Sequence, residues 1–284
     1  VNFTFEQHQY PQPSGNTSRM LAAKGTSLAS PLPQFSAANV LRFVHIGKCG
    51  GTSVRSWLRF LHNTGIASNN TGIASRFKEY HMNRDYYYLD NSNFVVWVRD
   101  PISRFQSAYD WEVSVVLAPA ATHCQLGPNC PAPLRQARKF STGHVYDRPF
   151  EDKLLHFHNA NHVAESLFQA SLDGKIANDL MTDPHEHLFK GIGWYLYNGS
   201  LVRRHRERMF VGTVENMNAD VARLARLLHV NLSTVPRMRT TAHNHSISPL
   251  GRHNLRRWYN KTDYAALREL VRCGLLDANS IQLE

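Results

Sequence analysis

The sequence predicts a three-layer α/β/α sandwich around a central parallel sheet, and three observations predict it. Val40, Leu41, Phe43, Val44 and Ile46 form a short apolar run. It breaks at Gly47-Lys48-Cys49-Gly50-Gly51 and resumes as Val54, Trp57, Leu58 and Leu61 at helical spacing. Phe94-Val95-Val96-Trp97-Val98 is a second continuous apolar run, suited to a parallel strand buried on both faces. Arg99-Asp100-Pro101 ends it, with proline placed as the first residue of a helix. At 284 residues and 42% hydrophobic, the chain can bury one large core, expected over 39–284 behind a lead-in at 1–38.

The first strand–turn–helix has the chemistry of a phosphate cradle. Gly50 and Gly51 let backbone approach a ligand with no Cβ in the way. The first helical turn leaves N–H groups pointing outward, and its dipole favours an anion. The backbone of Lys48, Cys49, Gly50, Gly51, Thr52 and Ser53, the hydroxyls of Thr52 and Ser53, and the Lys48 charge are the expected contacts. This is P-loop-like but not a Walker A motif, which puts its lysine after the glycines. In the second stretch Arg99 and Ser107 lie eight apart across a strand-to-helix corner and could grip a second phosphate. The plainer alternatives are a glycine turn into a helix, and an arginine paired with Asp100 beside a solvated serine.

Together the stretches Lys48-Cys49-Gly50-Gly51-Thr52-Ser53 and Arg99-Asp100-Pro101-Ile102-Ser103-Arg104-Phe105-Gln106-Ser107 resemble the sulfotransferases that use 3′-phosphoadenosine 5′-phosphosulfate. They are most similar to the membrane-anchored Golgi carbohydrate group that includes the heparan sulfate 2-O and 6-O enzymes. In that family K-[TS]-G-[GST]-[TS] holds the 5′-phosphosulfate and R-D-P-x-x-R-[FY]-x-S holds the 3′-phosphate. Cys49 departs from the usual threonine or serine, losing a hydroxyl but keeping the backbone donors. The resemblance extends weakly through Phe210–Glu215 and Tyr259–Leu270, and does not cover Val1–Phe35 or roughly 117–205. It implies a histidine between the two motifs as general base. His81 is the candidate, and imidazole suits proton removal near neutral pH. Glu79 and Asp85 are the alternative bases. It also implies a loop folding over the nucleotide before the last helix, for which Arg239, Thr240 and Thr241 are the candidates.

The rest of the chain fills in around these motifs. Val1–Phe35, rich in Pro, Ser, Gln and Asn, reads as a flexible, stem-like lead-in. No apolar run approaches the ~20 residues needed to span a membrane. The resemblance implies a type II membrane protein of the Golgi lumen, anchored upstream of Val1. Sequons at Asn2, Asn16, Asn69, Asn198, Asn231, Asn244 and Asn260 fit a lumenal glycoprotein. A helix from Pro101 runs to Leu117, where Pro119 stops it. Near 119–149 follows a proline-rich insertion in which Cys124 and Cys130 are expected to pair if the compartment is oxidising. Cys49 is expected to be buried and reduced. Helical periodicity covers 150–158 and 163–172. Phe189, Trp194, Tyr195 and Tyr197 cluster around Gly191 and Gly193, where they could stack on sugar faces or simply pack the core. Arg208–Val214 reads as a strand and Asn216–Val230 as an amphipathic helix. Arg237–Arg257 reads as a basic aperiodic loop, and Tyr259–Cys273 as the closing helix stopped by Gly274.

The expected function is transfer of a sulfuryl group from 3′-phosphoadenosine 5′-phosphosulfate to an acceptor hydroxyl, a carbohydrate one first. Lys48 and His81 are the catalytic residues, no metal is required, and the partners are the anionic nucleotide and a glycan or other hydroxyl acceptor. A formal charge of +10 fits an anionic donor. It would fit nucleic acid too, but no nucleic-acid motif accompanies it. Among the sixteen histidines no pair has convincing metal-ligand spacing, so no metal centre is expected. Two rivals stand beside this reading. A nucleotide kinase would need a magnesium-holding acid at a strand end, where only Asp100 stands. A non-catalytic glycan-binding relative would have lost donor contacts, yet Lys48, Arg99 and Ser107 are all present.

Overall fold

The apolar run before the glycines forms strand β1 (Val40–Val44), and the run before Arg99 forms β3 (Ser92–Val98). The computed structural model describes residues 33–64, 77–80, 90–117, 148–184, 187–230, 246–281 and 283. With β2 (Phe77–Tyr80) and β4 (Met209–Thr213) these strands make a four-stranded parallel sheet in the order β2-β1-β3-β4. Every residue of β3 and β4 is buried. That is why neither strand alternates apolar with polar: helices cover both faces.

Helix α1 (Gly51–Asn63) lies on one face. Its Val54, Trp57, Leu58 and Leu61 pack on Leu41, Phe43, Val95 and Trp97. Helix α8 (Met217–Leu227) joins it there through Val221, Leu224 and Ala225. Helix α2 (Pro101–Leu117) lies on the other face, with α3 (Arg148–Leu155), α4 (Ala160–Ser166) and α5 (Leu172–Thr182). The short helices α6 (Ile192–Leu196) and α7 (Ser200–His205) follow, then α9 (Pro249–Tyr259) and α10 (Asp263–Arg272). Val44, Phe94, Val96, Val98 and Val211 pack against this larger layer. The chain is therefore α/β, with a parallel sheet between helices, an arrangement compatible with a three-layer sandwich.

Three local expectations change. The segment read as a basic loop contains α9. Its stripe of Gly251, Asn254, Leu255 and Tyr259 is buried, but three of these four residues are not aliphatic, so the pattern is hidden. The start signal was present: Ser248 accepts a hydrogen bond from the Gly251 amide at 3.1 Å, and Pro249 opens the helix. The closing helix begins at Asp263 instead of Tyr259, after a turn, and ends as expected before Gly274, whose φ is 71°. The periodicity over 163–172 is split. Asn254 donates to the Leu167 carbonyl at 3.1 Å after the last turn of α4, and the Ser171 side chain caps α5. Among the described residues no helix is long and apolar enough to cross a membrane. Cys124 and Cys130 lie outside the described residues.

Replacing the α9 cap tests this assignment. Ser248→Ala should lower stability by ~1 kcal/mol, the usual worth of a serine cap, read as a drop of about 2–4 °C in melting temperature. An unchanged melting temperature would mean that the cap contributes nothing.

Candidate functional site

Parallel pairing puts the carboxyl ends of all four strands on one edge, and the two motifs leave from adjacent strands. β1 pairs with β3 from Val40↔Ser92 to Val44↔Val96, so the loop carrying Lys48 and the corner carrying Arg99 emerge side by side. The strand order reverses at β1, with β2 on one side and β3 on the other. In open α/β sheets such a switch point is where ligands bind.

The loop itself is bent into an unusual shape. Lys48 has φ 65° and Gly50 φ 69°, both left-handed. A glycine adopts this freely, while a lysine does so at a cost, held there by the residues around it. Gly50 is the N-cap of α1 and makes no side-chain cap bond, so no cap side chain closes off the first turn. Cys49 turns the other way, into the core, and its amide donates to the Ile46 carbonyl. Burial pushes its thiol up to about 12, so it is a neutral packing group and offers a ligand only its backbone.

Lys48 is where the loop meets α2. Its ammonium lies 4.7 Å from the centre of the Trp111 ring. Burial lowers its pKa to about 8, the Glu112 charge pulls it back up and the Arg99 charge pushes it further down. Arg99 and Lys48 thus share one electrostatic environment. Ser103, Ser107, Asp110 and Trp111 recur at i, i+4, i+7 and i+8 and are all half-buried, so they form one partly open stripe along α2. Ser107 stands one turn before the ring that Lys48 covers and on the same side of the helix. Of the sequence-predicted residues, Lys48 and Arg99 are thus close enough to feel each other's charge, and Ser107 lies on the half-buried side of α2 that Lys48 meets at Trp111. Thr52 is exposed and Ser53 half-buried in the first turn of α1.

Other residues prove architectural. Asp100 accepts the Ser103 amide at 2.8 Å and so caps α2, while its own amide donates to Glu215 at 3.0 Å. That leaves it ill-suited to hold magnesium. Arg104 is fully buried, with Nε 3.4 Å from Asp263 and Nη1 donating to the His187 carbonyl at 2.7 Å. Glu79, an alternative base, is also engaged. It meets His45 Nδ1 at 3.1 Å, Arg55 at 3.4 Å and Arg59 at 2.7 Å. Burial alone would raise its pKa, but the His45 hydrogen bond and the two guanidiniums outweigh it and hold the carboxyl low. A depressed carboxylate is a poor base at neutral pH. His81, Asp85, Arg239, Thr240 and Thr241 lie outside the described residues.

Two residues near the site were not singled out from the sequence. Trp111 could have been found from its spacing to Ser107. His45 could not, because its partner Glu79 comes from the neighbouring strand. Its ring packs so closely on Gly51 that a Cβ there would overlap it, which brings an imidazole to the first residue of α1. Among the described residues no cluster of His, Cys, Asp and Glu could hold a metal ion. The chain matches no family model, no curated protein and no solved structure.

The lowered Lys48 pKa gives the site a pH signature. An anion prefers the charged ammonium, so its affinity should be flat below pH 8 and fall above it, by up to about tenfold per pH unit. Titrating nucleotide binding from pH 7 to 9.5 checks this. Lys48→Arg, always charged, should remove the fall, and an unchanged profile in that variant would rule Lys48 out as its source.

Proposed function

We propose that the chain is a sulfotransferase that moves a sulfuryl group from 3′-phosphoadenosine 5′-phosphosulfate to an acceptor hydroxyl, a carbohydrate one first, on a P-loop-like fold. One observation carries the reading: the glycine loop with Lys48 and the corner with Arg99 stand side by side at the switch point of a parallel sheet, with Ser107 one helical turn before the Trp111 ring that Lys48 covers. A donor with phosphates at both 5′ and 3′ positions needs two such grips.

The residues fit that donor. The open first turn of α1, from Gly50 through Ser53, would hold the 5′-phosphate by backbone donors, with Thr52 and Ser53 hydroxyls assisting. Arg99 and Ser107 would hold the 3′-phosphate. Donor binding supplies the transferable sulfuryl group. Lys48 stabilises negative charge as it builds on the leaving 5′-phosphate oxygen. His81 takes the proton from the acceptor hydroxyl. Arg239, Thr240 and Thr241 would cover the nucleotide. The capping role of Asp100 weighs against the kinase alternative. Residence in the Golgi lumen, with an anchor upstream, completes the proposal, and the sequons support it.

The donor assignment is tested by thermal shift. 3′-Phosphoadenosine 5′-phosphate should raise the melting temperature by mass action on the folded state, and ADP, lacking the 3′-phosphate, much less. Arg99→Ala should abolish most of that difference. Equal stabilisation by ADP would overturn the 3′-phosphate grip.

The base assignment is tested by turnover. With labelled donor and a sugar acceptor, His81→Ala should lower turnover ~10²–10⁴-fold, the usual general-base range, while sparing donor affinity. Near-normal turnover would place the base elsewhere, and lost donor affinity would move His81 into the nucleotide pocket.

A further inference from the structure

A second concavity lies in the helical layer, built by α5, α6, α9 and the turn before α10. It encloses about 450 Å³, within the range of small-molecule sites, and its walls carry the aromatic side chains Phe189, Trp194, Tyr197 and Trp258. Phe189 is 38% exposed, and the other three are half-buried, packed against the core with part of each residue lining the concavity. Exposed polar residues, Thr182, Asn198 and Thr262, line the same concavity, while Asp263 lies buried beneath it with its Oδ1 accepting the Gly193 amide at 2.9 Å.

Two cations stand against rings in or beside the concavity. Lys190 Nζ lies 5.8 Å from the centre of the Trp194 ring. Trp258 touches Phe168, ring centres 6.0 Å apart, and the exposed Arg257 sits 4.2 Å over Phe168. Flat apolar faces next to hydrogen-bonding groups match a pyranose, whose C–H face is apolar and whose hydroxyl edge is polar. Positive charge beside the rings matches acidic substituents on the neighbouring sugars.

We propose that this cleft binds an acidic oligosaccharide, one ring stacked between Trp194 and Trp258 and its flanking sulfate or carboxylate groups against Lys190 and Arg257. This rests on the carbohydrate half of the proposed function. It adds a site on the helical layer, formed by residues other than the donor-cleft residues Lys48, Arg99 and Ser107. The Asp263–Arg104 ion pair ties the residue beneath the cleft to α2, the helix that carries Ser107.

The test uses the chain produced without N-linked glycans, because Asn198, which lines the cleft, heads a sequon. A heparin-derived hexasaccharide and neutral maltohexaose are titrated calorimetrically at low and high salt. The sulfated probe should bind, and weaken with salt; the neutral one should bind far less. Trp258→Ala and the more exposed Phe189→Ala should each weaken the sulfated probe about tenfold, as loss of an aromatic anchor does. Lys190→Ser with Arg257→Ser should flatten the salt dependence. Melting temperatures and the nucleotide shift, measured on the same variants, show that they fold. Binding of the hexasaccharide that is unchanged in Phe189→Ala and in Trp258→Ala, or no binding by a folded chain, overturns the site. Equal affinity for maltohexaose overturns its acidic preference. The outcomes separate from the transferase reading: a nucleotide shift without sugar binding removes only the cleft, and sugar binding without a nucleotide shift removes only the donor.

Discussion

The parallel pairing of β1 with β3 is the constraint on which the site depends. A parallel pair cannot be closed by a tight turn, so a longer connection carries the chain back and every strand delivers its carboxyl end to the same edge. With Val44 opposite Val96, the residues that follow each strand have nowhere to go but into one crevice. The Lys48 loop and the Arg99 corner are neighbours because of backbone register. Their side chains then refine a proximity that the ladder has already set.

A buried polar spine connects that edge to the helices beyond it. Arg104 of α2 reaches the His187 carbonyl, Asp263 at the start of α10 and the Tyr259 hydroxyl at 3.4 Å. The His187 amide in turn donates to Glu112 at 3.2 Å, whose charge acts on Lys48. Burial lowers the pKa of Arg104, but Tyr259 and Asp263 raise it further, and the net is upward. Such a pair contributes little net stability compared with apolar packing, yet removing one partner strands a charge, at ~3–5 kcal/mol. Its effect here is to fix the angle of α2, and with it the stripe that holds Ser107 and Trp111.

How much was legible depended on whether a residue's partner lay close in sequence. The strand–turn–helix from Leu41 to Leu58 and the corner from Phe94 to Ser107 were legible, since apolar period, glycine and proline are local signals. Asp100 was the one strand-end acid open to the kinase alternative, disfavoured by its Asp-Pro setting, and its bond to the Ser103 amide identifies it as a cap. The His45–Glu79 pair was hidden because it forms across two strands, 34 residues apart. Helix α9 was hidden by its own composition. Its inward positions are filled by Gly251, Asn254 and Tyr259, whose burial depends on close backbone approach and on hydrogen bonds. Phe189, Trp194 and Tyr197 were legible as an aromatic cluster, but Trp258 joins them from α9 through tertiary packing.

The long connection between β3 and β4 also sets an order of events during synthesis. Glu215, just after β4, reaches Asp100 from 115 residues along the chain. β2, β1 and β3 can associate while the polypeptide is still short, but β4 has yet to be made. Until it arrives, β3, fully buried in the finished fold, is an open edge of bare amides and carbonyls flanked by Val95 and Trp97. Non-local parallel pairing is slow and leaves such edges exposed to other chains. The helices from α3 to α7 emerge in that interval, and packing them on one face of β3 is the step that shields the nascent sheet before β4 completes it.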